Sequence, residues 1–409
     1  AGASCVYAFH RGLKNASFWL AETSSGGGHG VWAKQGILQP YPGTLRQNAV
    51  HAFACGADLL SYFQFKAFRF GAEQMEAAVL DLDGIPRRRF HEFQEASRDM
   101  KKLAPLLERT HVHNDVAVCF DYDCLWSLRI KQIEQNYSYQ AHVEETVVAL
   151  AHQGIGSDVI PFGDAIKNYK MIVLPAPVIM AEGFKVLLKD FVKNGGTVVS
   201  TFLTDIKNID NVAPRESAPA GLTDLFGLRV GEGEPVFMDS QASIGILLGS
   251  KSITAKNSIW TESLELLGAE AAGCYASSFR TGEPVVAKHR YGKGRAYYFG
   301  TWFESDIVGL LLSKIAAEAG IGQAPFAAQK GVEAIRRKSA AGEEFYFLFN
   351  YKMSDAHVEF KTECVDLLGG GLLNGVFQMK AKDFIVFAQC AATQERHKAK
   401  SGAVQKAFA

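Results

Sequence analysis

Short apolar runs that alternate with amphipathic helical stretches set the fold class of this 409-residue chain. The clearest series lies in its middle: VAVCFD at 116–121, SDVIP at 157–161, MIVLP at 171–175 and TVVST at 197–201. Helical patterns at 139–153 and 181–194 separate them, the first ending at Gly154 and the second at Gly195 and Gly196. Strands this short and this apolar, joined by helices, need a parallel sheet covered on both faces. The unit resembles a doubly wound sheet. It continues through less regular sequence to YYFGT at 297–301 and a helix at 306–320.

The first 110 residues repeat the theme. ASFWLAE at 16–22 reads as a buried strand opening into the loop TSSGGGHG at 23–30. A helix at 45–55 follows Pro42 and Gly43, ADLLSYFQF at 57–65 reads as a second buried strand, and a helix is expected at 88–107. This is again the order of parallel strands with crossover helices. Beyond 326 the period changes to two, in EFYFLFN at 344–350, HVEF at 357–360 and FIVF at 384–387, which predicts a small all-β module. Residues 393–409 are polar, basic and aperiodic, and are expected to form a frayed tail. The division is therefore 1–112, 113–325, 326–392 and the tail. The first residues lack the basic and apolar segments of a signal peptide, and the chain reads as though it starts in mid-domain.

Charge narrows the function classes. Lys plus Arg and Asp plus Glu number 43 each, which gives no electrostatic footprint for nucleic acid or an acidic membrane. No apolar run approaches the roughly 20 residues of a membrane span. The seven cysteines are scattered, with no paired CxxC, so no metal site is signalled and free thiols in a reducing compartment are expected.

Chemistry gathers in the opening segment. Glu22 ends an apolar strand and opens a Gly/Ser loop. In a (β/α)8 barrel, catalytic groups sit at the carboxyl ends of strands, so this carboxylate is a candidate glycosidase nucleophile. Trp32 follows in the loop and offers a flat face to a sugar ring. The second strand ends in SYFQFK at 61–66, bringing aromatic and polar groups to the same rim, and Glu73 and Glu76 come next as acceptors for sugar hydroxyls. His29 is a further loop candidate. Each also has an ordinary reading: strand end, loop anchor, core aromatic, solvated helix start.

Taken in order, FWLAET at 18–23, Trp32, Pro42 and Gly43, SYFQFK at 61–66 and EQM at 73–75 resemble the end of the catalytic barrel of glycoside hydrolase family 42 β-galactosidases. Residues 115–325 resemble that family's trimerisation domain, with GKGRAYYFGT at 292–301 as its final strand, and 330–390 its C-terminal β domain. The resemblance implies a partial (β/α)8 barrel holding the last two β/α units, then a flavodoxin- or amidotransferase-like doubly wound domain, then a small all-β domain. It implies hydrolysis of terminal β-D-galactosides with retention, Glu22 as nucleophile, Trp32 beside the galactose, and Glu73 on sugar hydroxyls. Val31 stands where the family has Asn, Phe65 and Lys66 where it has Trp and Arg, and Glu76 where it often has a sugar-binding His.

A retaining glycosidase needs a second carboxyl group about 5 Å from the first. In the family that acid/base Glu follows an Asn on an earlier barrel strand, and no Asn-Glu pair precedes Glu22. The chain alone is therefore expected to be inactive, with a missing N-terminal barrel fragment as a partner. No metal or cofactor is implied. The expected partners are a β-galactoside substrate and two further copies in a homotrimer, in the cytoplasm. The alternative is a non-catalytic homotrimeric assembly module. A cysteine-nucleophile enzyme is a third reading, disfavoured because no Gly-x-Cys-x-Gly turn occurs.

Overall fold

The computed structural model of the chain describes residues 2–27, 38–76, 78–135, 137–248, 251–322 and 324–390. The order begins α1 (Gly2–Lys14), β1 (Phe18–Ser24), α2 (Thr44–Ala54), β2 (Ala57–Phe63), α3 (Arg88–Leu107), β3 (Thr110–Val112). It continues β4 (Val116–Cys119), α4 (Tyr122–Ile130), α5 (Tyr139–Ala151), β5 (Ser157–Ile160), β6 (Met171–Leu174), α6 (Glu182–Lys193), β7 (Thr197–Thr201), α7 (Thr223–Phe226). Next come β8 (Leu228–Val236), β9 (Ser243–Leu248), β10 (Lys251–Lys256), β11 (Ser258–Leu266), β12 (Glu270–Tyr275), β13 (Pro284–Tyr291), β14 (Gly294–Phe299), β15 (Thr301–Trp302), α8 (Ser305–Glu318). The chain closes with β16 (Phe326–Ala328), β17 (Val332–Ser339), β18 (Glu344–Asn350), β19 (Ala356–Asp366), β20 (Leu372–Met379) and β21 (Phe384–Gln389). Two compact units result: the described residues of 1–13 and 114–323 form one, those of 14–113 and 324–409 the other.

The first unit is built on a nine-stranded sheet ordered β10-β9-β12-β13-β14-β7-β6-β4-β5. Strands β5, β4, β6, β7 and β14 are mutually parallel and follow the flavodoxin-like order, with the first strand inside the second. Alternate residues feed two cores. Val116, Val118, Val173 and Val199 pack with α5 and α8 on one face, while Ala117, Cys119, Ile172 and Val198 pack with α6 and α7 on the other. The doubly wound expectation holds for these five strands. The segment read as less regular, 202–296, supplies an antiparallel extension β13-β12-β9-β10 and two strands of a separate sheet, β11 and β8, which β15 completes. Helix α1 was grouped by sequence with 1–112, yet it packs on this unit. Its Arg11 guanidinium pairs with Asp158, and Gly12 lies so close to the Val159 carbonyl that a Cβ would come within 1.8 Å of it.

The second unit joins the opening segment to the C-terminal strands. A seven-stranded sheet runs β16-β19-β21-β18-β17-β3, with β20 beside β19. Strand β3 comes from the first third of the chain and pairs with β17, Val112 opposite Arg337. Helix α2 packs on this sheet, where the Gln47 amide donates to the Asn350 and Asp383 carbonyls at 2.9 and 3.0 Å. Strands β1 and β2 form a two-stranded parallel sheet of their own. The two strands were expected to be buried, and they are not: Trp19 is 72% exposed, and Leu59 is exposed as well. Among the described residues they pair only with each other, so no further strand covers their sides.

Candidate active site

Glu22 sits two residues before the end of β1, rather than at it. Leu20 lies opposite Leu60 and Thr23 opposite Tyr62, so Ala21 and Glu22 together face only Ser61. One extra residue on one strand is a bulge, which bends that strand and re-aims its side chains. Glu22 is exposed here.

Just beyond, Ser25 ties the two strands together. It is fully buried, and its backbone N–H donates to the Phe63 carbonyl at 3.1 Å. Its hydroxyl accepts the Gln64 N–H at 3.1 Å and lies 3.0 Å from the Phe63 carbonyl and 3.2 Å from that of Gln64. The loop leaves through Gly27, where a Cβ would stand 2.2 Å from the Leu38 carbonyl oxygen. The returning chain is held by Gln39, whose amide donates to the Gly27 carbonyl at 2.8 Å and accepts from Arg89 at 2.8 Å. Residues 28–37, with Trp32 and His29, lie outside the described residues.

The loop after β2 folds back on itself. Val79 N–H donates to the Gln64 carbonyl at 2.9 Å, Leu80 to Phe65 at 2.8 Å and Ala67 to Leu80 at 3.0 Å. Further out, Met75 donates to Phe68 at 3.0 Å. Glu73 lies in the turn this closes, its carbonyl accepting from Glu76 at 3.3 Å, and both side chains are half-buried. Glu22 thus lies near the carboxyl end of β1, and Glu73 and Glu76 lie in the loop that follows the carboxyl end of its parallel neighbour β2. The rim aromatics divide differently from the sequence reading. Tyr62 packs edge-on against Phe93 of α3 at 4.5 Å, and Tyr62 and Phe65 line an open groove of about 530 Å³ with Phe90, Arg98 and Lys101. Gln64, the polar residue of that rim run, is buried, with neither amide atom partnered among the described residues.

Elsewhere the chemistry is quiet. Among the described residues, no group of three or more His, Cys, Asp or Glu is placed to hold a metal, and no helix is long and apolar enough to cross a membrane. None of the seven cysteines forms a disulfide among the described residues. Cys119 and Cys124 are buried, and burial pushes both thiols well up, away from the thiolate a nucleophile needs. The Cys124 thiol donates to the Ile179 carbonyl at 3.3 Å.

Three family models match the chain: the β-galactosidase trimerisation domain of glycoside hydrolase family 42 at residues 114–322, the β-galactosidase model at 2–103 and the β-galactosidase C-terminal domain at 331–389. The chain is 29% identical over 316 residues to a β-galactosidase of Clostridium cellulovorans, covering 76% of this chain and 47% of that protein. It is 29% identical over 343 residues to one of Heyndrickxia coagulans, covering 83% and 50%. The fold is like that of the β-galactosidase of Bacillus circulans sp. alkalophilus, with a TM-score of 0.88 at 23% identity, over 95% of this chain and 58% of that one. The chain spans about half the length of the curated relatives it matches.

Proposed function

Because the chain belongs to the glycoside hydrolase family 42 β-galactosidases, we propose that it serves the hydrolysis of terminal β-D-galactosides by a retaining double displacement with Glu22 as nucleophile. The Glu22 carboxylate attacks the anomeric carbon and forms a galactosyl ester as the glycosidic oxygen leaves with a proton. Water then attacks the same carbon from the face the aglycone left, so the configuration is retained. The proton donor, and later the base, is a second carboxyl group about 5 Å away. We assign that group to residues outside this sequence. The observation that carries the reading is the bulge, which turns a strand residue out at the carboxyl end of a parallel pair.

Trp32, Glu73 and Glu76 are proposed as the substrate-binding set. Trp32 covers the apolar face of the sugar, and the two carboxylates accept from its hydroxyls. Phe65 and Lys66 replace an indole donor and a bidentate guanidinium, so the hydroxyl contacts of this rim differ from those of the family. The working assembly is a homotrimer. Seven cysteines outside any disulfide suit a reducing compartment such as the cytoplasm.

A chromogenic β-galactoside tests the reading. Turnover is expected only when the amino-terminal part of a relative's barrel is supplied, and Glu22→Gln should abolish it. A second reading, a non-catalytic assembly module, is favoured by the two filled cores of the 114–323 unit, which draw on α1 but on neither β1 nor β2. A trimer that stays inert with the barrel part supplied would establish it.

A further inference from the structure

The assembly reading leaves open which surfaces meet, and two apolar patches on the 114–323 unit answer this. The first lies on α4. Cys124, Leu125 and Leu128 face the core, while Tyr122, Trp126 and Ile130 form a stripe at four-residue spacing on the outer side. Trp126 is 54% exposed and Ile130 is 74% exposed. The neighbouring loop extends the patch with exposed Ile209 and Val212. It is tied to α4 through Ser127, which donates to Asn211 at 2.7 Å and accepts from Lys207 at 2.8 Å. Cations gather at the carboxyl end of α4: Arg129, Lys131 and Lys207, with Asp210 beside them and Asp123 a turn and a half earlier. The crowding is felt at Lys207, whose ammonium burial and Lys131 hold below the usual lysine range.

The second patch follows β8. A turn at 237–240 is closed by Ser240 N–H donating to the Phe237 carbonyl at 3.0 Å and Phe237 N–H donating to the Ser240 hydroxyl at 3.0 Å. It holds Phe237 and Met238 outward, Met238 at 94% exposed. On the β12–β13 loop Phe279, 78% exposed, lies under the Arg280 guanidinium, which reaches Glu232, Glu234 and Glu283. With Asp239, four carboxylates stand here against one guanidinium.

A ring of three copies has no two-fold axis between neighbours. Each contact therefore joins two different patches, one from each chain. One basic patch and one acidic patch, both apolar at the centre, are the complementary pair such a contact needs. We infer that the α4 stripe of one copy receives the Phe237–Met238 turn and Phe279 of the next, with Arg129, Lys131 and Lys207 facing Glu232, Glu234 and Asp239. The inference rests on the trimer reading. A turn already closed by its own hydrogen bonds loses little freedom on docking.

The test is light scattering on the full chain at micromolar concentration and low salt. Trp126→Glu and Met238→Glu should each reduce the trimer to monomer with unchanged circular dichroism and thermal melt, since both side chains are exposed. An equimolar mixture of the two variants should form a one-to-one heterodimer, because only one of the two junctions is then intact. Should either apolar variant fail to fold, Lys131→Glu should weaken assembly by about tenfold or more, and adding Glu232→Lys should restore it. Variants that remain trimeric beside a trimeric wild type would overturn these surfaces and leave the trimer standing. A monomeric wild type would overturn the trimer reading and this inference with it.

Discussion

The buried hydroxyl of Ser25 accepts the backbone N–H of Gln64 at 3.1 Å, joining the carboxyl ends of β1 and β2 three residues beyond Glu22. Removing the hydroxyl leaves that N–H buried and unmet, which costs about 1–3 kcal/mol. Ser25→Ala is expected to lower the melting temperature of the chain accordingly, whereas Ser24→Ala, on the exposed neighbour, should change it little. Equal effects would mean the clamp is not where the two strands are held.

Gln64 carries a buried amide with no partner on either atom among the described residues. Such a group is a liability to folding. Gln64→Met, close in volume, should leave stability unchanged or raise it by up to about 1 kcal/mol in chemical denaturation. A loss larger than that would show that the amide is satisfied and structural.

Glu262 of β11 accepts from Leu203 N–H at 2.9 Å, Tyr298 OH at 2.8 Å and Trp260 Nε1 at 3.2 Å. Burial nevertheless outweighs these donors and lifts its carboxyl to about 7. The folded state thus holds a proton the unfolded chain releases near 4.5. The stabilisation is complete below pH 4.5 and is lost as pH rises to 7, a fall of order 3 kcal/mol. Melting curves of the wild type against Glu262→Gln across that window should show the slope removed. A slope that persists in the variant would assign it to another group.

His51 predicts the same direction in a higher window, in the other unit. Its ring is buried, which opposes protonation, but Cys55 at 3.5 Å and Glu333 at 3.7 Å outweigh burial and lift it to about 10. Phe349 and Tyr351 close around it edge-on. Stability from this ion pair is present below pH 6.5 and lost as pH rises to 10. His51→Gln should flatten the profile between those values. An unchanged profile would mean that His51 is neutral in the folded chain.

Much of this was legible in the residues. α3 follows the expected 88–107, β7 the expected 197–201, and the parallel strands of the middle domain fall where the apolar runs stood. These elements are read from local period alone. The antiparallel strands β8 to β12 were not foreseen; in β8 Gly231, Gly233 and Pro235 interrupt the local pattern, and its place is set by antiparallel pairing with β11. Helix α1 is paired with Asp158 and packs closely on Val159, more than a hundred residues away. At the site, residue type and order singled out Glu22, but the bulge beneath it depends on which β2 residues lie opposite. The orphaned Gln64 amide has no sequence signature at all, since a polar residue between Phe63 and Phe65 reads equally well as an exposed one.

We propose Glu22 as the nucleophile of a galactosidase site whose proton donor is supplied by residues outside this sequence. The most direct measurement is release of nitrophenol from a nitrophenyl β-galactoside, by the chain alone and by the chain co-expressed with the amino-terminal part of a relative's barrel. No turnover is expected from the chain alone, turnover when the barrel part is supplied, and a loss of about 10³-fold or more on Glu22→Gln. Turnover by the chain alone, or turnover in the complemented enzyme that survives Glu22→Gln, would contradict it.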